Sequence, residues 1–228
     1  MTSRLLLLDT SGRTGQVALA EGDSLLSARR LDESRNHARD LTPAIADLLA
    51  GAGWKPRDVS AVVVSRGPGS YTGLRVGIMS AKTFAYAAGC ALLAIDTFPV
   101  IAARAPAGAD PLDVIADAQQ QKVYVQRFAH GAPASPLVIR TVAEWLADAP
   151  APWVTGPGLR IHHARLPASV RAVDESLREP RVESLLALAL VRRRAGERDD
   201  PFAVEPLYLR PSSAEEQWRA RPAPPALG

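Results

Sequence analysis

Residues Ser65–Lys82 read SRGPGSYTGLRVGIMSAK. Gly67, Pro68, Gly69 and Gly73 crowd the start, and an apolar run follows. Just upstream, Val59–Ser65 (VSAVVVS) is a β-branched run of the kind that forms a buried parallel strand. The stretch therefore predicts a strand, a tight turn and a helix over Tyr71–Ala88. Within that helix Gly73, Gly77, Ala81 and Ala85 recur every four residues, with Gly89 just beyond. Each interior glycine costs about 1 kcal/mol relative to alanine, so close packing against a neighbour has to offset it. Leu74, Val76, Ile78 and Phe84 fill other faces. One mixed stripe remains, Arg75, Met79, Lys82 and Tyr86, which predicts contact on more than one side of the helix.

Glycine-rich turns before helices invite nucleotide readings. A P-loop needs Lys and Ser or Thr after its last glycine, but Leu74 and Arg75 follow Gly73. The dinucleotide pattern G-x-G-x-x-G fits Gly67 and Gly69 and fails at Thr72. Two readings are left. One is a generic anion site at the helix N-terminus. The other is a structural turn, Gly67, Pro68, Gly69, Ser70, Tyr71, Thr72 and Gly73, in which Ser70 or Thr72 caps the helix.

Working outward, Arg4–Asp9, Gly15–Glu21 and Ser24–Leu31 read as a meander of three strands. A helix capped by Asn36 runs to about Ala50, with Leu41, Ile45, Leu48 and Leu49 on one face; Pro43 either kinks it or opens a shorter helix capped by Thr42, and the kink is the preferred reading. Ala91–Ile95 is a further strand. The order β-β-β-α-β-α-β places the chain in the α/β class. The pattern then starts again: Leu112–Ala118 and Lys122–Ala129 read as strands, Thr141–Asp148 and Arg181–Arg194 as helices. This divides the chain into 1–105, 106–211 and a proline-rich tail, 212–228, expected to pack weakly.

Composition narrows the function. The chain has 228 residues, 47% of them hydrophobic, and a formal charge of +3. The basic residues are scattered. The triplet Arg192, Arg193 and Arg194 reads as a solvated helix end, so charge permits an RNA partner without requiring one. One cysteine, Cys90, excludes an internal disulfide and reads as a core residue. The apolar patch Leu5–Leu8 is too short for a signal peptide, and no run is long enough to span a bilayer, so the expected location is cytoplasmic.

The opening LLLLDTS, the segment SRNHARDLTPAI, the loop SRGPGSYTGLRVGI and the late PLYLR (Pro206–Arg210) occur in this order. Together they resemble the bacterial TsaB (YeaZ) family from about Leu5 to Arg210. The resemblance implies two ribonuclease-H-like domains of the actin, sugar kinase and Hsp70 superfamily. It implies a non-catalytic dimerisation subunit of the machinery that adds threonylcarbamoyl to the tRNA adenosine beside the anticodon. A TsaD-type chain carries the chemistry, a TsaE-type ATPase joins, a homodimer is an alternative pairing, and tRNA contact is indirect or weak. The expected partner interface is Leu41, Ile45, Arg75, Met79, Lys82 and Tyr86.

Individual positions depart from that family's pattern. Its catalytic paralogue holds a metal with helical histidines, and the matching stretch here, Ala94–Arg104, has none. His37 reads as structural or interfacial. No metal, cofactor or catalytic residue is therefore expected. Asp9, Thr10 and Ser11 retain part of the superfamily's nucleotide site, and Thr155–Gly158 is a remnant of its adenosine loop with Pro157 in place of a donor. The rival readings are a metal-dependent nuclease using Asp9, Asp96 and Asp117, and a small-molecule kinase of the same fold.

Overall fold

The computed structural model describes residues 3–31 and 37–209. The tail 212–228, Arg210, Asn36 and the side chain of His37 lie outside the described residues. The first meander forms as expected: β1 (Arg4–Asp9), β2 (Gln16–Glu21) and β3 (Ser24–Arg30) pair antiparallel in sequence. Helix α1 (His37–Gly51) is continuous through Pro43. Strand β4 (Ala61–Gly67) then pairs parallel with β1, and β5 (Ala91–Asp96), which follows α2 (Tyr71–Ala88), pairs parallel with β4. The sheet order is β3-β2-β1-β4-β5.

The second half repeats the scheme. β6 (Leu112–Asp117) and β7 (Lys122–Ala129) are antiparallel, and β9 (Val138–Thr141) pairs with β7 opposite β6, where β8 (Ala132–Pro133) also pairs. After α4 (Val142–Ala147), β10 (Trp153–Thr155) adds parallel to β6. After α5 (Leu159–His162), β11 (Arg171–Ala172) adds parallel to β10. Both sheets thus place an antiparallel meander beside parallel strands, giving two ribonuclease-H-like α/β units. α3 (Thr97–Ala102) sits between them. Val100 joins the core of the first sheet, and Phe98 and Ile101 join the core of the second.

Two expectations are corrected. A boundary near residue 105 assigns α6 (Val182–Arg194) to the second half. Its Val182, Leu185, Leu186 and Ala189 are instead buried against Leu5, Leu7, Ala61 and Val63 of the first sheet. A sheet with parallel strands must be covered on both faces, and α1 with α2 cover only the other face. The second correction concerns α1. Leu41 is fully buried and Ile45 nearly so, in the core with Leu6, Leu8, Val62 and Val64. They face the sheet beneath and present no surface to a partner. Cys90 is only half-buried.

Candidate docking face and its anchor

The turn after β4 is built on the end of β1. Gly67 adopts φ +116°, a conformation that favours glycine. The Ser70 amide donates to the Ser11 carbonyl at 2.8 Å. Ser70 Oγ caps α2 by accepting from the Gly73 amide at 3.2 Å, while Thr72 is exposed. Thr10 Oγ1 donates to the Gly73 carbonyl at 2.6 Å. A Cβ on Gly69 would overlap Ser11, and one on Gly73 or Gly77 would overlap Thr10. The expected small-residue ridge is therefore real: Gly73, Gly77, Ala81 and Ala85 are all buried. At the far end Gly89 closes the helix at φ +68°.

The same contacts decide what Asp9, Thr10 and Ser11 do. Asp9 is wholly buried, and its Oδ1 accepts from the Ser11 amide at 2.9 Å and the Ser11 hydroxyl at 2.7 Å. Its Oδ2 has no hydrogen-bond partner among the described residues. Burial pushes the carboxyl above the usual carboxylate range, against the hydrogen bonds from Ser11. Glu179 lies next to this corner: a Cβ on Gly12 would stand 3.2 Å from its Oε2. Burial raises Glu179 as well, and the Asp9 charge adds to that, opposed by Arg160 and Arg13.

The second glycine loop is closed in the same manner. The Gly158 amide donates to the Ile115 carbonyl at 3.0 Å, and Gly156, at φ +107°, packs on that same carbonyl. One backbone donor in each loop, that of Ser70 and that of Gly158, is thus engaged by the chain itself. The three carboxylates of the nuclease reading do not converge. Asp9 ends β1, Asp96 ends β5 and pairs with Arg66 at 2.5 Å, and Asp117 ends β6 in the other sheet, 3.5 Å from His162 Nε2. No group of three or more His, Cys, Asp or Glu among the described residues is arranged to hold a metal ion.

The outer stripe of α2 divides by exposure. Met79 is 63% exposed and Tyr86 76% exposed. Arg75 is exposed and Lys82 half-buried. Sequence reasoning missed what flanks them. After α6 the chain returns as a strap over 199–209 that runs antiparallel to α2. Phe202 meets Tyr86 edge-on, with ring centroids 6.3 Å apart. The Val204 carbonyl accepts from Lys82 Nζ at 3.0 Å. Tyr208 stacks on Tyr71, and its hydroxyl accepts from Arg75 Nε at 2.9 Å.

The strap is tied at both ends. Its Leu207 amide donates to the Arg66 carbonyl at 2.8 Å. Asp199 bridges to Leu92 at the sheet edge, accepts from the Ala94 amide at 2.7 Å and pairs with Arg192 through both oxygens. Burial alone would raise Asp199, but Arg192 and the Ala94 amide hold it below the usual range. So Arg192 is a structural ion-pair partner rather than part of a solvated triplet. The clue in the sequence was the aromatic content of DPFAVEPLYL, too sparse to say where it packs.

Comparison with known proteins extends this geometry. The family described as TsaD, tRNA N6-adenosine threonylcarbamoyltransferase, matches residues 31–146. A Bacillus subtilis protein named tRNA threonylcarbamoyladenosine biosynthesis protein TsaB is 27% identical, over 94% of this chain and 97% of its own. The Escherichia coli protein of that name is 32% identical over 53% of each chain. The solved structure of YeaZ from Pseudomonas aeruginosa superposes with a TM-score of 0.75 at 31% identity, covering 91% of this chain and 100% of that one.

Proposed function

Because this chain belongs to the TsaB (YeaZ) family, we propose that it acts in threonylcarbamoyladenosine biosynthesis on tRNA as a non-catalytic docking subunit. It binds a TsaD-type catalytic chain through the outer face of α2, in an assembly that a TsaE-type ATPase joins. One observation carries the reading. Met79, Tyr86, Phe202 and Tyr208 are exposed large apolar side chains, and they gather on α2 and the strap beside it. Concentration of such groups on one face marks an interaction surface, whereas scattered ones do not. Aromatic, Met and Arg side chains are also the types enriched at interface cores.

A structural rather than catalytic role is supported by the docking of each glycine loop on the chain, the Ser70 amide on the Ser11 carbonyl and the Gly158 amide on the Ile115 carbonyl. The test is sedimentation of the purified chain mixed with the TsaD-type subunit of the same organism. A single faster species with both chains is expected. Independent sedimentation of the two, across micromolar concentrations, would overturn the proposal. Sedimentation of the chain alone reports whether a second copy takes the same face.

A further inference from the structure

We propose that Thr10 is a positioning residue that pins α2 to the end of β1 and so sets the pose of the docking face. The inference rests on the docking role just assigned to α2. Thr10 is fully buried and stands directly beyond β1, whose core-facing leucines anchor it. Its Oγ1 donates to the Gly73 carbonyl, and the same oxygen occupies the space a Cβ on Gly77 would need. The side chain is therefore a peg seated between two glycines one helical turn apart. A helix with alanine at either position would have to rise or rotate off the sheet.

The peg lies on the opposite side of α2 from Arg75, Met79 and Tyr86. Gly73 and Gly77 are buried toward β1, while the stripe is exposed. Displacement of the peg thus moves the stripe as a rigid body without altering any side chain in it. Gly77 makes room for the Thr10 hydroxyl and Gly73 for the Thr10 backbone carbonyl, and this close approach offsets the intrinsic helix cost of the two glycines.

The experiment is a double-mutant cycle on the full chain. Gly77→Ala keeps the hydroxyl and forces α2 away. Thr10→Ala removes the peg. Each is expected to weaken binding of the TsaD-type subunit at least tenfold. Each should also raise amide exchange over residues 73–79 by a similar factor. The double variant should recover most of both losses, because the new methyl fills the space left by the hydroxyl. Thr10→Ser, which retains Oγ1, should stay within about threefold of the parent.

Additive losses in exchange, or no change in exchange for Thr10→Ala, would overturn the peg. If exchange shows the coupling while affinity stays constant in all variants, the peg stands and the docking role of α2 fails. Should Gly77→Ala not fold alone, its folding in the Thr10→Ala background supports the peg. Failure there as well overturns it.

Discussion

Tyr208 stacks on Tyr71 with ring centroids 4.9 Å apart, and the guanidinium of Arg75 lies 4.2 Å from the Tyr71 centroid. The two tyrosines are far apart in the chain, and this stack fastens the end of the strap to the first turn of α2. Tyr208→Ala should therefore release the strap locally. The variant loses the aromatic pair and the contact of Arg75 with the Tyr208 ring, 5.8 Å from its centroid, together worth about 1–2 kcal/mol. The expected result is a stability loss of that size and faster exchange of the Leu207 amide. Tyr208→Phe keeps the stack and should lose only the bond to Arg75, about 1 kcal/mol or less. Equal losses for the two variants would contradict the stacking account.

Met79→Glu separates docking from folding. The side chain is 63% exposed. On a free surface the change should shift stability by no more than about 0.5 kcal/mol. At a packed interface it leaves a charge unpaired and should cost about 3–5 kcal/mol of association. Sedimentation with the TsaD-type subunit, together with a denaturation curve of the variant alone, gives both numbers. Unchanged association would remove α2 from the interface.

Asp9 makes stability depend on pH in a defined direction. Burial raises its folded pKa, so the folded chain holds that proton more tightly than the unfolded one. Its contribution is fully present below the ordinary carboxylate pKa and is lost as pH rises through the raised folded value. Asp9→Asn should abolish the loss, leaving the variant more stable than the parent above that window and similar below it. Each pH unit of the window corresponds to about 1.4 kcal/mol. Glu179 is shifted in the same direction, so the comparison is made in a Glu179→Gln background. Denaturation midpoints that run parallel in the two chains from pH 4 to 9 would refute the assignment.

Asp113 organises the second unit. Its buried carboxylate accepts from Arg127 Nε at 2.8 Å, Arg127 Nη2 at 3.1 Å, Trp145 Nε1 at 3.1 Å and the Ala151 amide at 2.9 Å. The hydrogen bond to Asp113 leads the contributions that raise the Arg127 guanidinium. Asp113→Ala strips the acceptor from two buried donors and a partly buried cation. A loss of about 3–5 kcal/mol is expected, measured by chemical denaturation. A loss below 1 kcal/mol would mean that water replaces the carboxylate.

Residue order alone determined much of the local structure. The span Tyr71–Ala88, a hydroxyl cap at Ser70 or Thr72, the small-residue ridge from Gly73 to Ala85, the first meander with its parallel strands and the hairpin that opens the second unit were all legible, whereas β9, β10 and β11 were not. Each rests on short-range rules: 3.6-residue periodicity, β-branched runs, and glycine where the backbone turns. The family was legible too, because its motifs are contiguous. Tertiary structure decided the rest. Periodicity told which faces of α1 and α6 are apolar, yet not which surface would cover them. So Leu41 and Ile45 entered the core, and α6 crossed to the first sheet. The strap on α2 and the Thr10 peg consist of bonds from side chains to distant backbone or to a distant ring. Arg75 and Tyr208 are 133 residues apart, and Thr10 and Gly73 are 63 apart. Such contacts leave no periodic trace. They form because a buried polar group must find a partner, and the folded chain alone determines which partner is within reach.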